Sequence, residues 1–143
     1  MDMAERFGKA SKAVRLKVGA LIVKDGGIIS EGVNGMPPKW PTEICEDEVL
    51  VDEGTNTAHF VLVTKPECRH AEIAALEKMW NKSETLKGSE MFVSHCPCLA
   101  CAIKLKTAGI IKVYYRHTYR LTDGINYLLK NDVEVERVGE LID

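Results

Sequence analysis

Apolar positions change period several times along the chain. Ala4, Phe7, Ala10 and Val14 recur at helical spacing in a stretch rich in Ala, Lys and Arg, which predicts an amphipathic first helix over residues 3–17. Residues 18–24 (VGALIVK) form a short apolar run that stops at Asp25-Gly26-Gly27, and a second run covers 28–33. Two such runs around a DGG turn predict a β-hairpin. From Asn34 to about Arg69 no period holds. Pro37, Pro38, Pro41 and Pro66 fall there, with an acidic run over 43–53. A functional loop or insertion is expected, with 56–64 readable as helix or strand.

Order returns at Ala71. Ala71, Ile73, Ala74, Leu76 and Trp80 mark a helix to about residue 81, and MFVS at 91–94 reads as a buried strand after Gly88. Pro97 suits a first helical position, and the helix it opens runs to Gly109, a residue that favours a helix end. Residues 110–115 predict another buried strand. Thr122 or Asp123 is placed to cap a helix through Leu129, and 133–138 alternates as a final strand. The predicted order is α-β-β-α-β-α-β-α-β. It indicates one α/β domain over 1–143: a three-layer α-β-α arrangement with helices flanking a central sheet.

Composition narrows the function classes. The 143 residues carry 19 Lys+Arg against 21 Asp+Glu, a net charge of −2, which disfavours binding to duplex nucleic acid through a broad basic face. No run reaches the ~20 apolar residues of a membrane span, so no membrane contact is expected. The N-terminus shows no apolar secretory core. The five cysteines are odd in number, which points to thiols or metal ligands in a reducing, cytoplasmic compartment. For a viral protein that compartment is the host cytoplasm.

Three of those cysteines crowd into HCPCLAC, and the helix start before it reads CRHAE. A spacing of three puts Cys98 and Cys101 on one side of a first helical turn. With His70 they offer three ligands of the kinds that Zn²⁺ takes in tetrahedral sites, one short of a closed structural site. Glu72, two residues beyond His70, is then placed as general base and proton shuttle for an activated water. The paired pattern H-x-E and P-C-x-x-C is the signature of zinc nucleobase deaminases.

The segments VGALIV, GVNGMP, RHAEIAAL and CPCLACAIKLKTAGIIKVYY resemble the cytidine deaminase superfamily, and within it most of all the deoxycytidylate deaminases. The resemblance implies a central mixed five-stranded sheet. It also implies zinc-dependent hydrolysis of dCMP to dUMP and ammonia, supplying dUMP for thymidylate synthesis. It assigns Asn34 to the substrate's sugar, Glu72 to N3 of its base and Ala71 to a substrate contact. An aromatic contact is assigned to Tyr119, with Tyr115 as second match, and a 5′-phosphate contact to Arg116 or Arg120. It further implies a homo-oligomer, a hexamer in that family. Activation by dCTP and inhibition by dTTP with a divalent cation such as Mg²⁺ are also implied, through a turn bearing Gly32, Asn34 and Gly35. Pro37-Pro38-Lys39-Trp40 departs from the glycine-rich continuation expected there. Alternatives are deamination of dCTP or cytidine, and a non-catalytic zinc module. Among Cys45, Cys68 and Cys96, a second zinc with His59, His95 or His117 is not expected, because no ligand spacing recommends itself; buried apolar filling is expected of Cys68 and Cys96.

Overall fold

The computed structural model describes residues 1–52, 54, 58–118 and 121–139. Its elements are α1 (Asp2–Gly8), β1 (Gly19–Lys24), β2 (Gly27–Val33), β3 (Glu46–Asp52), β4 (Ala58–Thr64), α2 (Ala71–Glu77), β5 (Glu90–His95), α3 (Leu99–Ala108), β6 (Lys112–His117), α4 (Asp123–Lys130) and β7 (Glu134–Arg137). One mixed sheet of five strands runs β2-β1-β5-β6-β7. β1 is antiparallel to β2 and β5, while β5, β6 and β7 are parallel and joined through α3 and α4. Among the described residues, no helix is long and apolar enough to cross a membrane.

Side-chain alternation assigns the two faces of the sheet. Ala20, Ile22, Met91, Val93 and Val113 point to one face and pack with Ala71 and Ala75 of α2, Ala102 and Leu105 of α3 and Leu128 of α4. Two glycines let helices lie on the sheet at backbone distance. A Cβ at Gly32 would stand 2.3 Å from the carbonyl oxygen of Ala71, and one at Gly19 would stand 1.9 Å from that of Ala4. Gly32 therefore faces α2 and Gly19 faces α1, which puts α1 on the opposite face. Gly109 ends α3 in the left-handed conformation, φ 96°, as its position predicts.

Two expectations are corrected. The first helix stops at Gly8 rather than near residue 17. Beyond it the backbone donors leave the helical ladder: Ala13 N–H turns to Ser11 Oγ two residues back, and Val14 and Arg15 N–H go to the distant Glu46 carboxylate at 2.8 and 3.1 Å. Part of the aperiodic stretch is ordered as the antiparallel pair β3–β4, in register from Glu46↔Thr64 to Asp52↔Ala58. Position 58–64 is thus a strand, and the acidic run forms its partner. Leu50 and Phe60 face each other across it at 58% and 67% exposure. With neither face on the core, the hairpin has no inside–outside alternation to betray it.

Helix α1 is held electrostatically. Arg116, on the α1 face of β6, donates to Asp2 and Glu5 at 2.6 Å each, and Glu5 also accepts from His117 Nε2 at 2.5 Å. Burial pushes the Glu5 carboxyl up, but the hydrogen bonds from His117 and Arg116 outweigh it and hold its pKa below the usual 4.5. A carboxyl with a lowered native pKa stabilises the fold above its unfolded pKa and loses that contribution as pH falls through the native value. Replacing Glu5 by Gln is expected to cost about 1 kcal/mol at pH 7 in urea unfolding, a deficit that shrinks as pH falls below 4.5. A deficit unchanged between pH 7 and 3 would contradict this account of the anchor.

Candidate metal centre and active site

His70 and Cys98 occupy equivalent places, each the extended residue just before a helix, with ψ of 155° and 168°. The sheet order brings these two helix starts together. The Cys98 sulfur accepts the backbone N–H of Cys101 at 3.4 Å, closing the first turn of α3. His70 Nδ1 lies 3.5 Å from Cys98 Sγ and 3.3 Å from Cys101 Sγ. The three ligand atoms lie within 4.8 Å of one another, and among the described residues this is the one such cluster. Among the described residues, Cys45, Cys68 and Cys96 belong to no second group placed to hold a metal ion. Cys96 is buried, as expected of apolar filling, whereas Cys68 is only half-buried.

The cluster shares few protons among several acceptors. The Cys101 thiol and the His70 imidazole hydrogen-bond to the Cys98 sulfur and pull its pKa down to about 3. The same sulfur–sulfur hydrogen bond, with burial, pushes Cys101 up. His70 is raised chiefly by its hydrogen bond to Cys98. A thiolate, a second sulfur and an imidazole within this radius suit Zn²⁺, which prefers S and N donors. His70 is exposed, so the group is open on one side. Glu72 sits in the first turn of α2 and is 4% exposed. Burial raises its pKa, so its carboxyl holds a proton more readily than a solvated glutamate.

Beside the cluster lies a cavity of about 150 Å³. His70, Ala71, Glu72 and Cys98 line it, together with Asn34 and, from the segment before β1, Arg15. As the first helical residue of α2, Ala71 has an N–H with no acceptor inside the helix. The Asn34 amide already ties that segment to β2: Oδ1 accepts from Val18 N–H at 2.8 Å and Nδ2 donates to the Leu16 carbonyl at 2.7 Å. One Nδ2 hydrogen is left to serve a ligand.

Other expected contacts fall elsewhere. Arg116 is committed to Asp2 and Glu5 across the sheet, because alternation along β6 turns it to the α1 face. Tyr115 packs against the core and is not part of the cavity wall. Tyr119 and Arg120 lie outside the described residues. Gly32 is covered by the backbone of α2 and has no open side for a ligand. Asn34 and Gly35 do line a second cavity, of about 350 Å³, with Lys12, Lys39, Trp40 and Arg69. Arg15, the cationic side chain of the first cavity, was hidden in a basic stretch that reads as the solvent face of a helix. His95, the first residue of HCPCLAC and expected at most as a partner of a second zinc, also lines that cavity.

Comparison with known proteins agrees with this geometry. Residues 1–117 match the model of the cytidine and deoxycytidylate deaminase zinc-binding region. The deoxycytidylate deaminase of Saccharomyces cerevisiae is 27% identical over 92% of this chain, although the chain spans only 40% of that enzyme's length. That of Enterobacteria phage T2 is 27% identical, with 99% of this chain and 91% of the phage enzyme aligned. The dCMP deaminase of cyanophage S-TIM5, solved with dCMP and dUMP, is 42% identical with a TM-score of 0.83, covering 96% of this chain and 92% of that one. With the family's zinc-binding region matched across the starts of both α2 and α3, this chain belongs to the cytidine and deoxycytidylate deaminases.

Proposed function

We propose that this chain, as a single domain, hydrolyses dCMP to dUMP and ammonia. The observation that carries the reading is the buried Glu72 carboxyl, next to a three-ligand His/Cys/Cys cluster, with Glu72, His70 and Cys98 on the wall of one cavity. A purely structural metal site has no use for that carboxyl. Zn²⁺, when bound by His70, Cys98 and Cys101, would supply a Lewis acid that brings the pKa of water towards ~7. Glu72 would take one proton from the attacking water and pass it to N3 of the cytosine ring, then take the remaining proton of the hydroxyl added at C4 and pass it to the amino group, which leaves as ammonia as the C4–N bond breaks and the C4 carbonyl forms. Its raised pKa suits a group that must both accept and return a proton near neutral pH. Ala71 N–H and the remaining Asn34 Nδ2 hydrogen are donors for the base and the sugar. The relatives with dCMP in their names support the choice of substrate over dCTP or cytidine. The five free thiols fit a reducing cytoplasm.

Arg15 takes the place that Arg116 cannot fill. Its backbone is fixed by Glu46 and its Nη1 donates to Thr64 Oγ1 at 3.2 Å, which leaves other guanidinium donors for a 5′-phosphate. The second cavity supports an effector site for dCTP or dTTP. Lys12, Lys39 and Arg69 offer positive charge, and Trp40 offers a stacking face. Mg²⁺ would accompany the triphosphate there. Exposed Ile44, Leu50 and Phe60 around β3–β4 support assembly with further copies of the chain.

Three outcomes are expected. Glu72→Gln retains zinc, measured by metal analysis, and loses kcat by roughly 10²–10⁴-fold; near-wild-type turnover would remove Glu72 from the mechanism. Arg15→Gln raises KM for dCMP roughly tenfold and leaves deoxycytidine turnover unchanged. An equal loss on both substrates would break the phosphate assignment. Saturation by dCMP shifts to lower concentration with dCTP and to higher with dTTP and Mg²⁺. A curve indifferent to both nucleotides would remove the effector site.

A further inference from the structure

His95 ends β5 on the wall of the catalytic cavity, and its Nδ1 lies 3.0 Å from a hydroxyl that is able to donate to it. The buried Ser94 hydroxyl accepts the backbone N–H of Gly19 at 3.1 Å. A backbone N–H only donates, so the Ser94 proton is free to point to its other partner, His95 Nδ1, at 3.0 Å. In that arrangement Nδ1 accepts, and a neutral His95 bears its own proton on Nε2. Burial, with His117 beside it, holds the His95 pKa below its usual value, which favours the neutral ring. The ring plane is braced too. The His117 ring lies 4.9 Å away, centroid to centroid, at an interplanar angle of 37°, and Glu5 pins His117 through Nε2 at 2.5 Å. A ring with a set tautomer and a braced plane is a preorganised donor.

We propose that His95 is a substrate-binding residue that donates from Nε2 to an acceptor oxygen of the nucleotide, and that Ser94 is the positioning residue that sets its tautomer. The proposal rests on the nucleotide-deaminase reading of the cavity and adds a contact to it. The acceptor belongs to the base, the sugar or the phosphate, and two substrates separate these sources.

The test uses the full-length, zinc-loaded protein. His95→Leu is expected to raise KM for dCMP roughly three- to tenfold, with kcat and zinc content within about twofold of wild type, the pattern of lost binding common to ground and transition states. His95→Gln, whose amide donates from a similar position, restores most of the loss. A penalty on dCMP alone assigns the acceptor to the phosphate, and a penalty shared with deoxycytidine assigns it to the base or sugar. Long-range ¹H–¹⁵N NMR of the imidazoles is expected to show the Nε2–H tautomer at His95 in wild type, and a mixture in Ser94→Ala. An unchanged KM in His95→Leu, or an Nδ1–H tautomer in wild type, would overturn the proposal. The NMR reading uses no substrate, so a wild-type protein inert on dCMP would defeat the proposed activity without deciding the tautomer.

Discussion

The site depends on two helix starts being brought to one point. His70 lies at the head of α2 and Cys98 and Cys101 at the head of α3, and no single element holds all three. The strand order β2-β1-β5 supplies the juxtaposition: α2 lies on β1 and β2, while α3 leaves the end of β5. The approach of α2 is as close as backbone on backbone allows, because Gly32 has no Cβ to meet the Ala71 carbonyl. A shift of α2 by an ångström would take His70 out of reach of both sulfurs. The small residues in the core, Ala20, Ala71, Ala75 and Ala102, serve the same end by keeping the helices low on the sheet.

That constraint also sets the charges. Two sulfurs, an exposed imidazole and a buried carboxyl meet at the heads of these two helices. The hydrogen bonds among them settle one thiolate on Cys98 and keep the remaining protons on its neighbours. A dication offsets the negative charge, so metal binding and the packing of α2 against α3 favour each other. Glu72 stands apart in function although it shares a helical turn with His70. Its carboxyl is more deeply buried than the imidazole two residues earlier, which keeps it available for a proton.

Much of this was legible in the sequence wherever a residue's role follows from its neighbours. The helix start at His70, the end at Gly109, the hairpin of β1 and β2 and the three ligands all depend on short-range patterns; α3 starts two residues later than expected, since Pro97 stands before its cap, Cys98, and Leu99 is its first residue. What was hidden depends on partners far along the chain. Val14 and Arg15 leave helical geometry because Glu46 takes their N–H groups. Arg116 faces Asp2 and Glu5, more than a hundred positions away, so its place in a basic stretch said nothing about its partner. The β3–β4 hairpin has no buried face and so no alternation. His95 drew attention as a stray metal ligand, whereas its place on the cavity wall comes from the ends of β1 and β5.

The central claim is a centre with three protein ligands and one open position. Zinc X-ray absorption on the purified protein, together with metal analysis, tests it most directly. The account predicts one zinc per chain, with two sulfur neighbours at ~2.3 Å and two nitrogen or oxygen neighbours at ~2.0–2.1 Å, one of them exchangeable. A shell of three or four sulfurs, or a protein that folds and deaminates without zinc, would contradict it.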